Sequence, residues 1–175
     1  MSIPAPAFPL QIIDRATVAA RLIYFGNASL RNWSQGRVYR RHWAHVPAKG
    51  DNWPTIYVCP GVEEITPQVG QCVTINWSIL TVFVWNPSST PLADNEPSVS
   101  SVVGPAKLLL QTNPTLSVSY FDYEDIADVG PLFDPTDYTD EIEVDGKLLL
   151  RLAFTANYVK RDVPSSTLGV VLPTP

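Results

Sequence analysis

The chain has few of the residues from which catalytic and metal centres are usually built. Among 175 residues there are two histidines, two cysteines and one methionine. His42 and His45 stand three apart in a segment that reads as β, which would put them on opposite faces. Neither Cys59 nor Cys72 belongs to a Cys-x-x-Cys pair, so a zinc site is not expected. No G-x-S-x-G elbow, Walker loop or G-x-G-x-x-G turn occurs, which removes the common signatures of serine hydrolases and nucleotide binders. Asp134, Asp137, Asp140, Glu141 and Glu143 do not follow the D-x-D-x-D-G calcium loop. Glycosidic chemistry needs two carboxylates singled out across a cleft, and nothing in the acidic stretches selects two. Neither catalytic residues nor a cofactor are expected. No apolar run approaches the ~20 residues of a membrane span. The start, Met-Ser-Ile-Pro-Ala-Pro-Ala-Phe-Pro, lacks the basic and unbroken apolar parts of a secretion signal. The thiols are accordingly expected reduced and partly buried, although a hairpin around them would bring a disulfide within reach.

Bases are scarce after residue 50. Residues 51–146 hold fifteen of the seventeen acids and a single base, Lys107. Residues 1–50 hold seven of the twelve bases and a single acid, Asp14. The net charge of -5 therefore conceals a dipolar chain. Such asymmetry is satisfied within one molecule, between copies whose basic and acidic surfaces meet, or simply by solvent. The acidic balance argues against nucleic acid as the main partner and leaves the basic third only incidental phosphate contacts.

The length suits one domain with a sizeable core. Residues 1–9 alternate proline with small or apolar residues and predict an extended arm. Residues 10–25 lack Gly and Pro and end at Gly26-Asn27. Ile13, Thr17, Ala20 and Tyr24 form one helical stripe, which Val18, Leu22 and Phe25 are expected to widen. Residues 36–46 and 55–59 read as strands, and 72–85 as the strongest strand. Val73, Ile75, Trp77, Ile79, Phe83 and Trp85 share one face of it, and its other face turns apolar from Leu80 onward. Four prolines and five serines make 86–105 a long loop, after which Pro105 is placed to open a short helix over 106–112. A strand is expected over 117–123, then an acidic, irregular excursion over 122–141. The core closes with a hairpin of 141–144 and 147–158 about Asp145-Gly146, a type I′ signal. The tail 161–175 has no evident partner. The sum is an α+β fold in one domain, residues 10–160. Its mixed or antiparallel sheet is flanked by the first helix and the short second one, with extended arms at both ends.

Trp33, Trp43 and Trp53 fall among Arg31, Arg37, Arg40 and Arg41. Aromatic residues interleaved with arginine suit an interface hot spot, plain packing, or a platform for sugars or single strands.

The order of elements, with Trp53-Pro-Thr-Ile-Tyr-Val58 leading into β and Asp145-Gly-Lys-Leu-Leu-Leu-Arg-Leu-Ala-Phe-Thr-Ala-Asn-Tyr158 closing it, resembles the tail terminator (tail-completion) proteins of long-tailed bacteriophages. The likeness spans residues 10–160; the loop 86–105 and the acidic segment depart from the compact family pattern. It implies a structural virion protein without catalytic residues. Such a protein forms an oligomeric ring, usually a hexamer, that caps the tail tube and joins it to the head–tail connector or neck. Its partners would be further copies, the tail tube protein and the connector. It would reside in the virion after assembly in the host cytoplasm, with no membrane involved. The alternatives are another phage neck or baseplate adaptor, a carbohydrate- or ligand-binding β module on the tryptophans, and a hydrolase using the acidic segment. In a ring, each copy presents one surface to a different surface of the next. The expected basic side is Arg15, Arg31, Arg37, Arg40 and Arg41 with Trp33 and Trp43. The expected acidic side is Asp122, Glu124, Asp125, Asp128, Asp134, Asp137, Asp140 and Glu141.

Overall fold

Alternation of large apolar side chains along residues 72–85 builds the central strand. The computed structural model describes residues 9–87, 95–116, 127–135 and 138–164. Its elements are α1 (Pro9–Gly26), α2 (Ala28–Trp33), β1 (Val38–Arg40), a 3-10 turn (Trp43–His45), β2 (Thr55–Pro67), β3 (Cys72–Trp85), α3 (Asn95–Thr112), β4 (Val129–Phe133), β5 (Tyr138–Val144) and β6 (Lys147–Pro164). The strands form one open sheet in the order β1-β2-β3-β6-β4, with β5 also on β6. β1 runs parallel to β2, and every other pairing is antiparallel. The fold is thus α+β with a mixed sheet, as the sequence predicts. β5 and β4 share the outer edge of β6, the first opposite residues 147–153 and the second opposite 156–159. Val144 pairs with Lys147 across Asp145 and Gly146, whose φ values of 52° and 71° are those the I′ turn demands.

One face of the sheet is closed by helices. Ile13, Thr17, Ala20 and Tyr24 of α1 are buried there, as predicted. Ala16 and Ala19 are buried beside them, whereas Leu22 and Phe25 stay 36% and 40% exposed and Val18 is half-buried. The expected widening by the larger residues is therefore wrong. Small side chains let the helix lie close to the sheet, so alanines take the inner positions and Leu22 and Phe25 are turned out. The buried Tyr24 hydroxyl bonds the Thr81 hydroxyl of β3 at 2.9 Å. Beneath the helices, Phe83 meets Trp33 at 5.8 Å and Phe154 at 6.1 Å, and Phe154 meets Phe133 at 5.6 Å. This chain of aromatic rings crosses the sheet.

The opposite, outer face is closed over only part of its length. Tyr57, Cys59, Val82, Val84, Leu149 and Ala153 lie under Val46, with Trp43 and Trp53 packed against them. β3 is accordingly half-solvated at first and covered on both sides from Ile79 onward except at Leu80, close to the predicted pattern.

Elsewhere the observed elements differ from the expected ones. Of the strand expected over 36–46, only Val38–Arg40 pairs. The chain then turns as a 3-10 helix, with His42 Nδ1 accepting from the Ala44 N–H at 3.2 Å. The histidine rings therefore lie 6.1 Å apart rather than on opposite faces. β2 continues past 59 by a bulge in which Gly61 and Val62 oppose Ser78. A Cβ on Gly61 would stand 2.2 Å from Ser78 Oγ, so only glycine fits. From Asn95 onward, the loop expected over 86–105 and the short second helix give way to the eighteen-residue α3, with Pro105 inside it; residues 88–94 of that loop lie outside the described residues. Val102, Val103, Ala106 and Leu110 supply the buried stripe that holds the helix across that proline. Parts of the acidic excursion are the strands β4 and β5, and residues 161–164 extend β6 against Val73 and Cys72. Leu148, at the hairpin end of β6, is 51% exposed. Of the arm expected over 1–9, Pro9 instead opens α1 and residues 1–8 lie outside the described residues, as do the strand expected over 117–123 and residues 165–175 of the tail expected over 161–175. Cys59 and Cys72 are both free. β2 and β3 do form a hairpin, but Cys59 pairs with Leu80 at one end while Cys72 begins β3 at the other.

Candidate subunit interface

The expected basic surface centres on β1, the short edge strand. Arg40 meets Asp14 of α1 at 3.3 Å, a pair in which both side chains are about half exposed. Arg21 Nε donates to the Val38 carbonyl at 2.8 Å, and Arg37 to the Trp53 carbonyl at 3.4 Å. Arg41 is structural. Its guanidinium pairs with Asp51 and lies 5.4 Å from the Tyr57 ring centre. The same Asp51 oxygen accepts from the Tyr57 hydroxyl at 2.6 Å and the Ala48 N–H at 3.1 Å. Burial pushes the Asp51 carboxyl up, but these three donors outweigh it and hold the group below its ordinary range. Burial and the neighbouring carboxylate push the Tyr57 phenol far up, so it remains a donor. Arg31, exposed on α2, lies 5.8 Å from the Phe25 ring centre and donates to the Phe25 carbonyl at 3.3 Å. Arg15 is half-buried on α1.

The three tryptophans do not gather into one platform. Trp33 packs into the helix-side core, while Trp43 and Trp53 pack on the outer face. The Arg151 guanidinium lies 4.6 Å from the Trp43 ring centre.

The acidic set lies at the opposite edge of the sheet. Asp128 takes Lys160 at 3.0 Å and the Arg161 N–H at 2.6 Å. Burial raises its carboxyl, and these partners more than offset that, leaving it low. Asp140 of β5 is held by Arg151 of β6 through a two-pronged contact, one arm of which is 2.8 Å. Asp134 accepts from the Asn157 amide at 2.9 Å. Glu141 is exposed on β5. Asp122, Glu124, Asp125 and Asp137 lie outside the described residues.

These pairings leave the charge segregation largely intact. Arg40–Asp14 and Arg41–Asp51 are local to the β1 side, and Arg151–Asp140 and Lys160–Asp128 to the β5–β6 side. Among the described residues the only pair between the two sides is the exposed Lys49–Asp145 contact at 3.8 Å. The β1 side retains an excess of arginine. Residues 127–146, which hold β4 and β5, contain seven acids and no base.

Comparison with protein-family models and with curated sequences gives no match. No three His, Cys, Asp or Glu side chains come together as a metal site among the described residues. No described helix is long and apolar enough to cross a membrane.

Sequence reasoning missed a concavity on the open part of the outer face. A cavity of about 550 Å³ lies between Trp43, Val62, Leu80, Asp134, Thr155 and Asn157. A second, of about 220 Å³, continues it past Ser78 to Glu64, Asn76 and Leu132. Val62 and Leu132, at opposite rims, are 75% and 62% exposed. The sequence signal was faint: Val62 follows the Pro60-Gly61 breaker and Leu132 follows Gly130-Pro131, so neither joins a periodic stripe.

Proposed function

We propose that the protein is a ring-forming joint of a long-tailed bacteriophage virion, the tail terminator that caps the tail tube and meets the head–tail connector. In this reading it has no catalytic residue and no cofactor. Its partners are further copies, the tube protein and the connector. The carrying observation is the opposed charge of the two ends of one open sheet: arginine-rich around β1, acidic along β4 and β5. Heterologous contact between such ends is directional, because like ends repel, and a directional contact that closes makes a ring. The element order, with a leading helix, a long central strand and a closing hairpin strand, supports the reading together with the sequence resemblance.

The test is reversal of Arg37 and Arg40 to Glu, leaving the structural Arg41 in place. Native mass measurement and electron microscopy should show association weakened by roughly 10-fold or more at low salt. Adding Glu141→Arg and Glu143→Arg should restore it. Rings of unchanged affinity and salt dependence in the first variant would overturn the charge-directed contact. A ring found at the tube end of a virion distinguishes the terminator from a baseplate adaptor.

A further inference from the structure

The ring reading says that unlike surfaces of two copies meet, but charge alone does not supply a packed contact. The apolar residues left outside the two cores bear on this. On α1, Val18, Leu22 and Phe25 recur at i, i+4 and i+7 and form one line on the outward side, with Arg15 continuing it. Leu22 and Phe25 are the exposed members, and Arg31 lies against the Phe25 ring. The result is a short apolar ridge with cationic flanks. On the other side of the sheet, the outer-face trough is rimmed by exposed Val62 and Leu132, has Leu80 among its lining residues, and carries Asp134 and Glu64.

We propose that the Leu22–Phe25 ridge of one copy seats in the outer-face trough of the next, with Arg31 brought against Asp134. The proposal rests on the ring reading and names the surfaces that make its contact. Three observations support it. Apolar side chains stand out on both surfaces, Leu22 and Phe25 on the ridge and Val62 and Leu132 at the rim of the trough. Their charges are complementary, arginine on the ridge and carboxylate at the rim. Finally, ridge and trough lie on opposite sides of the same sheet. They cannot meet within one chain, nor can two copies satisfy both contacts in a two-fold dimer. Each copy that docks its ridge leaves its own trough open for another, and such a contact propagates until it closes.

Leu22 and Phe25 are removable without opening the core, so Leu22→Ala with Phe25→Ala should keep the wild-type unfolding midpoint while weakening self-association roughly 100-fold in sedimentation. Arg31→Glu and Asp134→Arg should each weaken association, and the combined variant should recover it. Phe25→Cys with Thr155→Cys, in a Cys72→Ser background, should yield a ladder of covalent oligomers with a short bis-maleimide; neither single-cysteine chain should. Rings that persist by electron microscopy with unchanged affinity in the double-alanine variant, and with no ladder, would overturn this docking while the ring reading stands. A wild-type chain that stays monomeric to its solubility limit would overturn both.

Discussion

The two faces of β3 are closed by different means. On the helix side, Ile79, Phe83 and Trp85 share one buried apolar cluster with residues of α1, α2 and α3, and the aromatic chain from Trp33 to Phe133 ties four elements together. On the outer side, Val82 and Val84 are covered by a loop whose regular structure is limited to the 3-10 turn Trp43–His45. Asp51, bonded at once to Arg41, Tyr57 and Ala48, holds that loop down. Apolar burial is indifferent to pH, whereas a carboxylate clamp is present only while the carboxylate is charged. One face is therefore unconditional and the other conditional, and the conditional one borders the open trough.

The largest effect should come from the unconditional face. Phe83→Ala removes a fully buried ring and should cost about 3–5 kcal/mol. Trp43→Ala removes a larger but half-buried ring from the loop, together with its contact with Arg151, and should cost only about 1–2 kcal/mol. Urea unfolding at constant m measures both. Equal losses would mean that the loop is as integral to the fold as the helices.

Asp51→Asn comes next and sharpens the contrast by its pH dependence. The folded-state pKa of Asp51 lies below its ordinary 3.8, so its stabilisation is complete above that value and is lost as pH falls through the folded pKa. The asparagine variant should be less stable than wild type at pH 7 by about 1–3 kcal/mol, because Arg41 and the Tyr57 hydroxyl lose an ionised acceptor. The gap should close on acidification below pH ~4. A gap independent of pH would show that the loop is held by packing alone.

How much of this was legible beforehand follows the same division. The β3 pattern, the α1 stripe from Ile13 to Tyr24 and the Asp145-Gly146 turn were readable, because each is a local periodicity or a two-residue conformational demand that burial reinforces. What failed was decided by tertiary partners. α3 hid behind Pro97, which falls in its first turn where an N–H has no intrahelical partner, and behind Pro105, whose cost is offset by Val102, Val103, Ala106 and Leu110. The outward turn of Leu22 and Phe25 depends on how close α1 can approach the sheet, which periodicity does not encode. Of the candidate interface, the charge segregation was visible in composition. The structural use of Arg41 and the separation of Trp33 from Trp43 were not, since both depend on which side of β1 the chain leaves.

Glu63 gives the smallest effect and the opposite sign. In register it opposes Trp77, whose ring belongs to the helix face, and its Oε2 is buried with no hydrogen-bond partner among the described residues. Burial raises its carboxyl above the ordinary 4.5. A carboxylate so placed penalises the fold wherever it is ionised, above its folded pKa. The penalty vanishes below its unfolded pKa, where both states carry the proton. Glu63→Gln should therefore raise stability at pH 7 by up to about 1 kcal/mol, with the difference fading toward pH 4. Wild-type-minus-variant curves for Glu63 and Asp51 should then slope in opposite directions over the same acid range. If both slope the same way, the raised carboxyl at Glu63 has found a partner in solution, and the helix side carries an ionic contact of the same kind as the Asp51 clamp.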